Sequence, residues 1–125
     1  MTVVDTDVLI DFLTGTDPGA EAVMHLLERG ELRTTVITRF ELLCGARTAR
    51  EEEIVSRLLR ALPTLPLDEE AAERAAEVRR TLQDRGEEIG MGDSLIAGIV
   101  LAQKAILLTR NRRHFERVEG LQLAG

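Results

Sequence analysis

The sequence predicts an α/β protein, with a mainly parallel sheet of four to five strands covered on both faces by helices. Three observations carry that expectation. Short β-branched or aliphatic runs alternate with longer stretches of helical spacing, and such alternation builds parallel strands joined by helical crossovers. The stretch "LIAGIVLA", residues 95–102, is apolar on every side, as a helix buried in a layered fold must be. The run "AILLT" after it, residues 105–109, is apolar at nearly every position, as a strand covered on both faces is.

The elements follow in order. "TVV" before Asp5 is a β-branched strand candidate. "DTDVLIDFLTG" reads as a helix with Val8, Leu9, Phe12 and Leu13 on one side and Gly15 at its end. "DPGAEAVMHLLERG" is a second helix, with Pro18 in its first turn, an apolar face of Ala22, Val23, Leu26 and Leu27, and a stop at Gly30. "LRTTVIT" is a second strand, "TRFELLCGA" and "EEEIVSRLLRAL" are helical, and "TLPL" is a brief third strand. "DEEAAERAAEVRRTLQDRG" is a long amphipathic helix ending at Gly86. "GDSLIAGIVLAQK" is the buried helix and "AILLT" the fourth strand. A short helix "RRHFERV" and a last weak strand "LQL" complete the chain. No repeat, low-complexity tract or linker interrupts it, so residues 1–125 read as one domain.

Composition narrows the function. The formal net charge of −6 argues against a general polyanion-binding surface. Three aromatics, Phe12, Phe40 and Phe115, are too few for base stacking to dominate binding. They and Cys44 are expected in an otherwise aliphatic core, and His25 on the surface. A single cysteine leaves no intrachain disulfide and no cysteine zinc site. No apolar run reaches the roughly 18 residues of a membrane span, and acids at positions 5 and 7 do not read as a signal peptide. A cytosolic protein is expected.

The acids fall at telling places. In open α/β sheets ligands bind beyond the carboxyl ends of the strands. Asp5 follows the first strand, Glu41 the second and Asn111 the fourth, and Asp93 opens the buried helix. Each also suits a helix cap. Asp5, Asp93 and Asn111 are good N-cap residues, and T-R-F-E, ending at Glu41, is a formal capping box. If they share one rim, capping alone is costly, since carboxylates 4 Å apart repel by about 4 kcal/mol at an effective dielectric of 20. A divalent cation removes that cost, and Mg²⁺ prefers carboxylate oxygen and water.

These residues resemble a known family. "VVDTDVLID" resembles the opening of PIN-domain proteins, "TRFELLCGA" their T-x-x-E-L-x-x-G motif, and "GDSLIAGIVLAQKAILLTRN" their D-x-x-I-A motif followed by a strand and T-x-N or T-x-D. "TRNRRHFERVEGLQL" is similar to the C-terminal segment of VapC-type toxins, a subgroup of that family. The resemblance implies a three-layer PIN-like fold and an endoribonuclease using Mg²⁺ or Mn²⁺. It implies Asp5, Glu41, Asp93 and Asn111 as the catalytic positions, with metal on Asp5 and Asp93. Asn111 departs from the family's usual acid, so Glu116 in "HFER" stands as an alternative. Asp7, where the family often has Asn, would orient ligands, and Thr109 would hydrogen-bond a ligand carboxylate or the phosphate. A small VapB-type antitoxin is implied as partner, with DNA reached only through it, and a homodimer; no membrane is implied.

The remaining expectations rest on residue chemistry. Arg110, Arg112 and Arg113, with Arg117 nearby, suit RNA phosphate because a guanidinium donates as a planar fork. The same run also suits a solvated helix face. His114 is weighed as a general acid. Ser94 has no base partner of the kind a serine nucleophile needs. Leu9, Phe12 and Leu13 on the first helix, with Phe40, Leu43 and Cys44 on the third, exceed what one buried face needs. A groove between those helices could take a partner helix. Two other readings are a receiver-like phosphoacceptor domain and a non-catalytic PIN-like module. The receiver reading needs a lysine after the last core strand, and the only lysine, Lys104, precedes "AILLT".

Overall fold

The computed structural model describes residues 1–125. β1 (Thr2–Val4) leads into α1 (Thr6–Thr14), and α2 (Gly19–Glu28) returns to β2 (Leu32–Thr35). α3 (Val36–Gly45) and α4 (Ala49–Arg60) precede the short β3 (Thr64–Leu65). α5 (Glu69–Asp84) and α6 (Met91–Gln103) come before β4 (Ile106–Leu108), α7 (Arg112–Phe115) and β5 (Gln122–Leu123).

The five strands form one sheet in the order β3-β2-β1-β4-β5, with every neighbouring pair parallel. β1 lies at the centre, with Thr2 opposite Leu32 on one side and Ile106 on the other. The chain winds outward from β1 through β2 to β3, then crosses to β4 and β5. The order therefore reverses between β1 and β4, which is where such sheets bind ligands. A receiver-like domain has the flavodoxin-like order 2-1-3-4-5, so this sheet does not carry that alternative.

Successive strand side chains point to opposite faces, and β1 feeds two cores. Val3 joins Leu82, Ile96, Val100, Leu107 and Phe115 beneath α5 and α6. Val4 joins Val8, Leu9, Val23, Leu58 and Leu59 beneath α1, α2 and α4. Helix, sheet and helix make the three layers expected. α5 and α6 approach closely at Gly98, where a Cβ would lie 2.5 Å from the Ala71 carbonyl oxygen and 2.6 Å from the Ala75 Cβ.

Several expectations need correction. The second strand stops at Thr35 rather than Thr38, because the Thr35 hydroxyl accepts from the Thr38 N–H at 3.1 Å and starts α3 three residues early. β-branched composition outvoted the cap in the sequence. Of the three aromatics only Phe115 is fully buried; Phe12 is half-buried and Phe40 is 66% exposed. Cys44 is exposed too. Both lie on the outer side of α3, which buries only Thr38 and Leu42. β4 is not wholly covered, since Ile106 is exposed. His25 is exposed, as expected.

Candidate active site

The site forms at the reversal between β1 and β4. The Asp5 N–H donates to the Leu108 carbonyl at 2.9 Å, so the sheet ladder itself carries Asp5 to the end of β4. Asp5 caps α1: Oδ1 accepts from the Thr6 N–H at 2.8 Å. Oδ2 accepts from the Thr109 hydroxyl at 2.6 Å. Only 5% of Asp5 is exposed. Burial pushes its carboxyl up to about 6, against the Thr109 hydrogen bond that lowers it; the charges of Asp7 and Asp93 raise it further.

Asp93 is the third residue of α6, not its cap. Gly90 occupies the cap position and makes no side-chain bond. Instead Asp93 Oδ2 accepts from Asn111 Nδ2 at 3.2 Å and lies 3.7 Å from His114 Nδ1. Asn111 sits at the cap of α7 without capping it. Its Nδ2 is also 2.9 Å from His114 Nδ1. An amide nitrogen carries two protons, so Asn111 can donate to both, which leaves His114 Nδ1 as the acceptor.

Glu41 is no cap either, because Thr35 starts α3. Its Oε1 accepts from the Thr6 hydroxyl at 2.6 Å. Thr6 Oγ1 is 3.0 Å from Thr38 Oγ1, and Thr38 Oγ1 is 3.4 Å from Thr35 Oγ1. The Thr6 hydroxyl is thus directed at both the Glu41 carboxylate and the Thr38 hydroxyl, and the Thr35 hydroxyl donates to Thr38. Glu41 also flanks α6: a Cβ at Gly92 would stand 3.5 Å from Glu41 Oε2. Glu41 thus adjoins Thr6, next to Asp5, and Gly92, next to Asp93. Capping survives as the role of Asp5 alone among the four.

Asp7 is half-buried and accepts from the Arg110 N–H at 3.2 and 3.4 Å. Burial raises its carboxyl, while the Arg110 charge opposes the rise. The arginines divide. Arg110 pairs with Asp11 at 2.7 Å, Arg112 donates to the Ala124 carbonyl and lies 3.9 Å from Glu116, and Arg117 donates to the carbonyls of Glu87 and Glu88. Arg113 is exposed and free of protein partners. Glu116 pairs with Arg112. Ser94 is buried and donates to the Gly90 carbonyl.

Two residues at the site, and one beside it, escaped sequence reasoning. Thr38 reads only as the start of the formal capping box, and Thr6 and Asp11 are not singled out. Asp11 is four residues past Asp7 on α1, a spacing that places both on one face, and that was the available signal.

Apart from His114 Nδ1, the donors at this mouth are hard oxygens. No three His, Cys, Asp or Glu side chains close into a metal cage. Mg²⁺ does not require one, since it commonly binds through one or two carboxylates and keeps water or substrate phosphate for the rest. Asp5, buried with a raised carboxyl and repelled by Asp93, fits such a cation.

A PIN-domain family model matches residues 2–121. This chain belongs to the PIN-domain family. Ribonuclease VapC10 of Mycobacterium tuberculosis is 36% identical to this PIN domain over 122 residues, covering 98% of this chain and 91% of that protein. The tRNA(fMet)-specific endonuclease VapC of Shigella flexneri is 29% identical, covering 94% and 92%. Among solved structures, VapBC-1 from nontypeable Haemophilus influenzae aligns over 98% of this PIN domain and 96% of that chain, with a TM-score of 0.83 and 28% identity.

The apolar residues of α1 and α3 expected to share one groove divide between a cleft and exposed surface. Leu9 is fully buried, and Phe12 and Leu13 instead line a cleft of about 320 Å³ with Leu27 of α2, Ile54, Arg57 and Leu58 of α4, and Ala61 just after it. Phe40 and Leu43 stay exposed on α3 and do not line it.

Proposed function

We propose that this PIN domain is a cytoplasmic, metal-dependent endoribonuclease and the toxin of a VapBC-type toxin–antitoxin pair. The names of its relatives support the ribonuclease class. The observation that carries the site assignment is the buried Asp5 carboxylate, held by Thr109 and crowded by Asp7 and Asp93.

Asp5 and Asp93 would hold Mg²⁺ or Mn²⁺, with Glu41 direct or through water. Bound there, the cation supplies a water of lowered pKa and neutralises charge building on the phosphate. The protein's part is positional. Thr109 fixes one oxygen of Asp5 and the Thr6 N–H the other, so the carboxylate is preset before a ligand arrives. Asn111 holds Asp93 in the same way, and Thr6 holds Glu41. Arg113, exposed beside the site, is the side chain left to meet RNA phosphate.

A VapB-type antitoxin is the proposed partner. VapBC-1, the Haemophilus neighbour, is a VapBC assembly by name. The apolar cleft of α1, α2 and α4 suits the face of a partner helix. Phe40, Leu43 and Met91 form exposed apolar surface for a second copy of the chain.

The deciding experiment is cleavage of single-stranded RNA with Mn²⁺ or Mg²⁺ and with excess EDTA. Cleavage is expected only with the cation, and Asp5→Asn is expected to bring it to background. Full activity in that variant would remove Asp5 from the mechanism. Cleavage insensitive to EDTA would remove the metal.

A further inference from the structure

Asp11 takes no part in the site described above, yet it is buried, with 7% of it exposed. It stands one turn after Asp7 on the same face of α1. Arg110 meets both acids. Its Nε lies 2.7 Å from Asp11 Oδ2, its backbone N–H donates to the Asp7 carboxylate at 3.2 Å, and its guanidinium donates to the Asp7 carbonyl at 3.5 Å.

Asp11 packs against Gly19, the first residue of α2. A Cβ at Gly19 would stand 2.7 Å from Asp11 Oδ2 and 2.8 Å from Asp11 Cβ. Only glycine there leaves room for the carboxylate in the position that meets Arg110. Burying a charge for no purpose is costly, and a pair this open on the arginine side adds only about 1 kcal/mol or less. Geometry is what the pair supplies best.

The neighbours of Arg110 hold the two site acids. Thr109 donates to Asp5 and accepts from the Asn111 N–H at 3.0 Å; Asn111 donates to Asp93. These residues are the whole loop between the end of β4 and the start of α7. Fixing its middle residue fixes both neighbours.

We infer that the Asp11–Arg110 pair is a clamp that sets the 109–111 loop, making Arg110 a positioning residue for Asp5 and Asp93 rather than a contact for RNA phosphate. Its effect on the cation rests on the nuclease reading above. Its effect on the loop does not.

The test uses the full chain with Asp11→Asn, Arg110→Gln and the double variant. Without metal, amide hydrogen exchange at Arg110 and Asn111 is expected to speed up in each variant, while β1 and α5 keep their protection. Arg110→Lys, which keeps the charge, is expected to restore part of it. Mn²⁺ affinity by calorimetry is expected to fall about tenfold in each single variant, and no further in the double. RNA binding in EDTA, with its salt dependence, is expected to stay as in wild type. Wild-type exchange in Asp11→Asn overturns the clamp. Weaker metal-free RNA binding and a shallower salt slope in Arg110→Gln also overturn it, by making Arg110 a phosphate contact. If wild type binds no Mn²⁺, the nuclease reading fails and the exchange result still decides the clamp.

Discussion

The Thr109 hydroxyl donates to Asp5 Oδ2 at 2.6 Å, joining residues 104 positions apart in the chain. It is the shortest path by which β4 fixes the acid at the end of β1. Hydrogen bonding to a carboxylate favours its charged form. Thr109→Val is therefore expected to move the Asp5 carboxyl above its present value of about 6. Titration of the Asp5 side-chain carbon by NMR checks this, and an unchanged or lower midpoint contradicts it.

Stability should follow the same carboxyl. Asp5 has an ordinary value of 3.8 and sits at about 6 when folded. Between those values the folded protein binds more protons than the unfolded chain, so stability falls as pH rises through the window. The contribution is complete below 3.8 and lost above about 6. Its full size is about 3 kcal/mol at about 1.4 kcal/mol per unit. Metal-free Asp5→Asn is expected to exceed wild type in stability near neutral pH and to match it near the ordinary value of Asp. Asn caps a helix about as well as Asp, so the cap is kept. Urea denaturation across that range measures it, and a difference independent of pH counts against it.

Asn111→Asp tests the fourth position. The exchange replaces a donor 3.2 Å from Asp93 with another carboxylate. Metal-free stability is expected to drop, and the melting-temperature rise on adding Mn²⁺ to grow, because the new charge repels Asp93 until a cation arrives. Thermal melts with and without Mn²⁺ decide. If both quantities match wild type, the side chain at 111 faces away from the cation.

Gly98→Ala addresses the scaffold. Helix propensity alone favours alanine by about 1 kcal/mol. Here the new methyl meets the backbone of Ala71 and Ala75 at 2.5 and 2.6 Å. Overpacking of this kind typically costs about 1–3 kcal/mol, so a net loss of stability is expected. A gain would mean that α5 can back away from α6 at little cost.

Ile54→Glu probes the partner. Ile54 is 43% exposed and lines the cleft of α1, α2 and α4. Placing a charge there should leave the fold intact and weaken capture of a coexpressed antitoxin. Undiminished copurification would locate the partner elsewhere, with the Phe40 and Leu43 face the next surface to mutate.

The order of strands and helices was legible because each element carries its own period and its own stop, Gly15 and Gly30 among them. Asp5, Glu41, Asp93 and Asn111 were legible as a set because each follows a strand or opens a buried helix. What each side chain touches was not. The capping box ending at Glu41 is formally present in the sequence, but Thr35 wins the cap, and Glu41 is left to Thr6. Phe40 and Cys44 look like core by composition, yet the buried face of α3 is set by Thr38 and Leu42. Arg110 reads as one of four equivalent arginines; only folding brings Asp11, from nearly the whole chain away, to its side.

The pairing of Asp5 with Thr109 also sets a timetable. A ribosome delivers β1, α1 and the Glu41 helix early, but the central strand waits for its neighbour until residues 106–111 have been made. Pairings so distant in sequence form slowly. A growing chain therefore holds Asp5 without Thr109, and Asp93 without Asn111, until that segment has been made. No fragment of this domain that stops before Ile106 can carry the assembled site, because the central strand then lacks the neighbour that holds its acid.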